Sequence, residues 1–376
     1  MTEPSRPIRL APLDAMRGFA ALAVPAFTHF QHFGGDKSIY PYNGLALGHW
    51  LYVYSQFFVD LFFVLSGFVL TFRYLEPLSR QRIDAREFFF LRFSRLYPLH
   101  LLTLLVCAGV EWSLMAQHQP TVIYPQDDLY HFALHLTFLQ LWFEHGLAYN
   151  YPSWSVCAEV FVYLLFFLYA RKRAGIFSAA SALTVFVGIA VLTSWSLPLL
   201  NRNMARAMVG FFMGALAFQA TERLDRAGRG HTLGISCLAA FVSIIVIANR
   251  IGYDTWIGGD PLPYGLILFP LLTVAALKTP PLAWLLSLRP LTFLGHISYA
   301  VYLSHVPIQM IILAVTRARH ITIPTSSPWF FWVWIATLVS VGTAVHHGFE
   351  RPARRWLRDR LVVAHAPTPV VALPAA

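Results

Sequence analysis

YVYSQFFVDLFFVLSGFVLTF, residues 52–72, carries one formal charge, that of Asp60, and is otherwise built almost wholly from aromatic, aliphatic and small residues. A run of about 20 such residues crosses the hydrocarbon core of a bilayer as a helix. In that core each backbone amide needs a partner within its own segment, so helix is the expected form. Working outward, runs of the same kind recur at roughly 15–33, 96–115, 154–170, 177–197, 203–220, 231–249, 262–277, 292–316 and 328–349. The short alternating segments of a membrane β-barrel do not occur. Composition agrees: 57% of the 376 residues are hydrophobic and 12% are charged, against about 25% charged in a soluble domain. The expectation is an all-α polytopic membrane protein of about ten transmembrane helices.

The formal charge of +10 is not a nucleic-acid signature, because the basic residues lie between apolar runs and form no tract interleaved with exposed aromatics. Threading the ten runs with the N-terminus inside puts 28 Lys and Arg on the inner side, less Lys37, Arg202, Arg206, Arg250, Arg317 and Arg319. That bias predicts cytoplasmic N- and C-termini. It survives only if segment 130–143, apolar but too short to cross, is interfacial or re-entrant. Basic residues precede the first apolar run, but no small-residue cleavage site follows, so the run is read as an uncleaved first span. Cys107, Cys157 and Cys237 are far apart, without metal spacing or a disulfide framework. One membrane domain over 1–360 is expected, with 361–376, rich in Pro and Ala, as a disordered tail.

Polar groups inside spans are costly, and each invites a functional reading. Asp14 and Arg17 stand one helical turn apart and can pair at the membrane edge. His29 lies about 18 Å further along an ideal helix, within the membrane; such a histidine is either catalytic or an interhelical hydrogen bond. Ser66–Gly67 lets a ligand or another helix come close to the backbone. Arg92 and Arg95 share a face at the start of the third span, where guanidinium forks suit phosphate and also serve as ordinary inner-face anchors. Glu159 is a carboxylate inside a span with no basic neighbour in sequence. His296, His305 and Glu350 lie in or beside the last two spans.

These segments, in this order, resemble the membrane-bound acyltransferase-3 family of O-acyltransferases. LDAMRGFAAL (13–22) followed by a His is similar to the family's opening motif, and Phe62, Phe63, Ser66 and Gly67 to its FFxxSG. Arg92 and Arg95 match its RxxR, PSWSVCAE (152–159) its Trp-Ser…Glu segment, and LGHISYAVYLSHVP (294–307) its late-helix signature; the likeness ends at FERPARRW (349–356). The resemblance implies ten spans, a cytoplasmic acyl-CoA donor, most simply acetyl-CoA, and acceptors that are usually surface carbohydrates or lipid-linked sugars. It implies that His29 is catalytic, that Arg17, Arg92 and Arg95 belong to the donor site, and that Ser66 and Gly67 lie beside them. Two departures stand out. Eleven residues separate Arg17 from His29 where the family has ten, which turns the pair about 120° apart on an ideal helix unless a kink at Pro25 absorbs the step; without that kink His32 is the runner-up. Glu159 is followed by Val160, where many members carry a second acid.

Acyl transfer to an alcohol needs a base for the hydroxyl and stabilisation of the thioester oxygen. The expectation is that His29 is the base, with Glu159 orienting its imidazole, and that no metal takes part. Trp142, Tyr149, Tyr151 and Trp154 flank the outer side of the fourth span as a sugar platform or as an interfacial aromatic belt. The rival readings are a small-molecule acyltransferase of the same family and a proton-coupled transporter or flippase. The expected location is the cytoplasmic membrane, in contact with lipid; oligomeric state has no signature in the sequence.

Overall fold

The computed structural model describes residues 10–34, 46–144, 146–172, 174–252 and 259–361. The expected tail over 361–376 therefore falls almost wholly outside the described residues. Among these, helices form every extended element, and eight helices are long and apolar enough to cross a membrane. A ninth is obtained if Tyr264–Lys278 and Pro280–Leu286, bent by 94° at their junction, count as one broken span. The first apolar run forms helix α1, Ala11–Ala26, of only 16 residues, and continues as a 3-10 turn over Thr28–Phe33.

The chain order is α2 (Ala46–Tyr54), α3 (Phe58–Ser79), α4 (Ala85–Ala116), the short α5 (Leu129–Leu136) and α6 (Gln140–Phe143), α7 (Trp154–Ala170), α8 (Ala174–Thr193), α9 (Arg202–Arg226) and α10 (Gly230–Ile251). It closes with α11 (Phe269–Lys278), α12 (Pro280–Leu286), α13 (Arg289–Ala318), α14 (Pro328–Val345) and α15 (Arg351–Leu361). Segment 130–143 is thus two short helices, as its length requires. Side chains close several helix starts: Asp84 accepts from Glu87 N–H at 2.7 Å and Asn201 from Met204 N–H at 3.0 Å, satisfying donors that a first helical turn leaves open.

Helices α1, α3, α7, α9 and α13 form the buried centre, while α8, α10 and α14 turn much of their apolar surface outward. Without a hydrophobic force between helices in lipid, close approach depends on small residues, and two crossings use them. Gly67 of α3 meets α9 so closely that an added Cβ would stand 1.8 Å from the Phe211 carbonyl oxygen. Gly18 of α1 faces Gly295 of α13; a Cβ on Gly18 would lie 2.4 Å from Gly295 N, and one on Gly295 would lie 2.1 Å from Asp14 O. These two backbones touch. Pro25, inside α1, denies that helix one internal hydrogen bond, and its own carbonyl accepts from Trp334 Nε1 of α14 at 3.0 Å. The α-helix ends there, which fixes how the 3-10 turn presents His29.

Candidate active site

Three cavities follow one another through the centre of the bundle. At the end marked by α15, a vestibule is lined by Arg17, Arg73, Arg95, Arg351 and Arg354, with the acids Asp14 and Glu350. Glu350 accepts from His346 at 2.9 Å, and Asp14 sits 3.5 Å from Arg17. Guanidinium groups therefore outnumber carboxylates around this space, and such an arrangement repels itself until an anion enters. Arg17, Arg95, Ser298 and Tyr299 also line the second cavity, a narrow space bounded by Phe62, Phe63 and Tyr302. Tyr302 lines the third as well, together with His29, His32, Tyr151, Trp154 and Arg206. Shared lining residues place the three spaces next to one another, the first cationic, the second largely aromatic and the third lined by histidines.

In the third cavity, His29 Nδ1 lies 2.7 Å from His305 Nε2, and His305 Nδ1 bonds the Tyr302 carbonyl of its own helix. Gln309, one turn beyond His305 on α13, donates Nε2 to the His29 carbonyl at 2.8 Å. That orientation turns Oε1 toward His32 Nδ1, 3.1 Å away, which must donate. Thr28, next to His29, shares a 2.6 Å hydrogen bond with Ser55. Residues 28–32 are thereby tied to α13 on one side and to the start of α3 on the other.

The expected site residues divide. His29 lines the third cavity, whereas Arg17 lines the first two, so the kink at Pro25 does not make them direct partners. Ser66 lines the second cavity and donates to Glu159 at 2.6 Å; the Tyr163 hydroxyl donates to the same carboxylate oxygen. Glu159 therefore stands with Arg17, Arg95 and Ser66, and the group holding the His29 imidazole is His305. Arg95 faces the first two cavities, but Arg92 does not. Its Nη2 donates to the Tyr74 hydroxyl at 2.6 Å, with the guanidinium 4.7 Å over that ring. Gly67 is spent on the contact with Phe211, with no room left for a ligand. Of the four aromatics, Tyr151 and Trp154 reach the third cavity, Tyr149 is buried under α5, and Trp142 bonds the Leu199 carbonyl at 3.2 Å.

Sequence reasoning gave no role to His305 and Gln309, although their four-residue spacing puts them on one helix face. It also counted Arg206 among outer-side charges. Arg206 instead reaches Asp60 with Nε at 3.1 Å and Nη2 at 2.7 Å, and lies 5.0 Å over the Trp154 ring. Two opposite charges within apolar runs were the available signal for that pair. Among the described residues no group of three or more His, Cys, Asp or Glu is placed to hold a metal ion.

Comparison with known proteins agrees with this architecture. A family model described as an acyltransferase domain matches residues 10–346. The chain is 28% identical to the acyltransferase MdmB of Streptomyces mycarofaciens over 97% of both chains. It is 33% identical to protein 2 in the picA locus of Rhizobium radiobacter, over 50% of this chain and 95% of that protein. No solved structure matches. A match spanning α1 to α14, on a bundle of membrane-length helices, makes this chain a member of the acyltransferase-3 family and an acyltransferase.

Proposed function

We propose that the protein is an integral membrane O-acyltransferase that moves an acyl group, most simply acetyl, from a coenzyme A thioester to a hydroxyl of a cell-surface or exported carbohydrate. The observation that carries this reading is the succession of three cavities joined by shared lining residues, from a vestibule rich in arginine to the space that holds His29. Membership of an acyltransferase family removes the transporter reading. In this proposal the chain crosses the cytoplasmic membrane ten times, counting α1 and the bent pair as spans, and forms one domain over 1–360. The positive-inside rule puts α15, with Arg351, Arg354, Arg355, Arg358 and Arg360, in the cytoplasm. Coenzyme A thioesters are found there.

Arg95, Arg354, Arg351 and Arg73 hold the donor phosphates, where forked guanidinium donors match phosphate oxygens. The acyl-bearing arm lies along Phe62, Phe63 and Tyr299, with Glu159 offsetting the charge of Arg17 and Arg95. Past Tyr302 the thioester meets the acceptor. His29 Nε2 takes the hydroxyl proton as the oxygen attacks the thioester carbon. Collapse of the tetrahedral adduct breaks the C–S bond, and the imidazolium returns the proton to the departing thiolate. The acceptor is an uncharged polyhydroxylated unit, since the third cavity presents aromatic and hydrogen-bonding groups and its arginine is already neutralised by Asp60.

Membranes containing wild type or His29→Ala at equal expression, incubated with acetyl-labelled coenzyme A, test this reading. Base-labile label in the lipid-linked or polysaccharide fraction that disappears with His29 is the expected result. Equal label in both preparations removes His29 from the chemistry, and label confined to small soluble products moves the acceptor to that class.

A further inference from the structure

We infer that His305 is a positioning residue that selects the tautomer of His29, and so decides which of its nitrogens acts as the base. This rests on His29 being the base of the proposed reaction. The Tyr302 carbonyl can only accept, so His305 Nδ1, bonded to it, carries hydrogen. His305 is fully buried, and neither its bonds nor those of His29 go to a carboxylate among the described residues. In the neutral ring Nε2 is then a bare lone pair. His29 Nδ1, 2.7 Å away, must supply the hydrogen. That leaves the proton-accepting lone pair of His29 on Nε2, the ring nitrogen with no bond to the protein among the described residues. The order of donation runs from His29 to His305 to the backbone of α13.

The backbone of α13 is shaped for this. Pro307 has no N–H to give to Leu303 O, one turn back. Asn150, fully buried, fills that vacancy, donating Nδ2 to Leu303 O at 2.9 Å and to Thr103 at 3.0 Å. His305 is therefore held between a pinned helix and the 3-10 turn of His29. Gln309 holds the backbone of that turn and His305 holds its imidazole, so the two contacts act on different coordinates of the same residue.

In a Ser-His-Asp triad a carboxylate fixes the tautomer and stabilises the imidazolium. Here a neutral imidazole performs the first task and strengthens its hydrogen bond when His29 becomes charged, without adding a carboxylate at the base.

The test joins a spectroscopic readout to a kinetic one. Nitrogen-15 spectra of histidine-labelled full-length protein in detergent, with His29 assigned by its loss in His29→Ala, should give His29 as the Nδ1–H tautomer. In His305→Leu that preference should disappear. An Nε2–H tautomer in wild type, or an unchanged one in His305→Leu, overturns the inference whatever the activity. In membranes supplied with acetyl-labelled coenzyme A and their endogenous acceptor, His305→Leu should lower turnover about 100-fold or more, within the range of general-base catalysis, while the donor KM changes by less than about twofold. His305→Gln, whose Oε1 can accept from His29 Nδ1, should recover about tenfold or more of that loss. His305→Glu should move the acid limb of the kcat/KM profile upward by about one pH unit, because a carboxylate favours the imidazolium. Equal losses in the Leu and Gln variants with an unmoved acid limb mean a merely structural residue and overturn the inference. Full activity of His29→Ala instead brings down the base assignment, and the tautomer measurement still judges His305.

Discussion

Breaking the Asp60–Arg206 pair from either side should have unequal consequences, and the geometry says which is worse. Both guanidinium bonds end on one carboxylate, whose side chain is 1% exposed against 14% for the arginine. Arg206→Met strands Asp60 without a counterion, a loss of about 3–5 kcal/mol for a buried pair. Asp60→Asn leaves Arg206 beside the third cavity, where water reaches it, and over the Trp154 ring; about 1–3 kcal/mol is expected. The double variant Asp60→Asn/Arg206→Met buries no net charge and should return to within about 2 kcal/mol of wild type. Cys107 and Cys157 are buried, so their reaction with a thiol dye in mild detergent reports opening of the bundle. At about 1.4 kcal/mol per decade, labelling should accelerate about 100- to 5000-fold in Arg206→Met and about 5- to 150-fold in Asp60→Asn. The double variant should be slower than Arg206→Met. If its acceleration equals the product of the two single effects, the charges are not coupled and the reasoning fails.

Arg95→Ala and Arg354→Ala should each raise the KM for acetyl-coenzyme A about tenfold or more, the worth of a charge-assisted hydrogen bond, with turnover at saturation little changed. Arg92→Ala should show a smaller KM effect and faster thiol labelling, since its guanidinium is engaged by Tyr74; a larger KM effect than Arg95→Ala contradicts this division. Gly67→Val should open the α3–α9 crossing by about 1–3 kcal/mol or more, the range of overpacked cores, read as faster labelling of Cys157. Burial pushes the Asp127 carboxyl, in the loop before α5, up to about 7, although it accepts the Tyr149 N–H. The folded protein then keeps a proton that the unfolded chain releases near pH 4, so this group's contribution to stability is lost as pH rises through about 7. Asp127→Asn should melt like wild type near pH 4 and above it at pH 8; identical melting at both values excludes the raised carboxyl.

The helical class was legible because a bilayer imposes a length and a composition on every run that crosses it. What the sequence misjudged involved bends and partners. The run at 262–277 is followed by Thr279-Pro280-Pro281, a turn signal left unread, and the chain bends there by 94°. His29 was singled out by its depth and a carboxylate was expected to hold it, but its partner is an imidazole 276 residues away. Arg92 and Arg95 have equivalent spacing in sequence. Only packing reveals that Tyr74 takes one of them. Small residues at Ser66–Gly67 admit a ligand or a helix equally well, and the fold uses Ser66 for the cavity and Gly67 for the crossing.

The meeting of Gly18 with Gly295 has a mechanical consequence. His29 follows Gly18 by eleven residues, through the end of α1 and into the 3-10 turn, and His305 follows Gly295 by ten along α13, so each imidazole sits about 15–18 Å from the point of contact. The glycines are the fulcrum and the helices are lever arms of nearly equal length. A tilt of about 10° at the fulcrum displaces the far end by about 3 Å, comparable with the 2.7 Å between the two bonded nitrogens. A methyl group added at the fulcrum should therefore act on the His29–His305 contact from a distance, and a second change that restores the angle should restore that contact without touching either histidine.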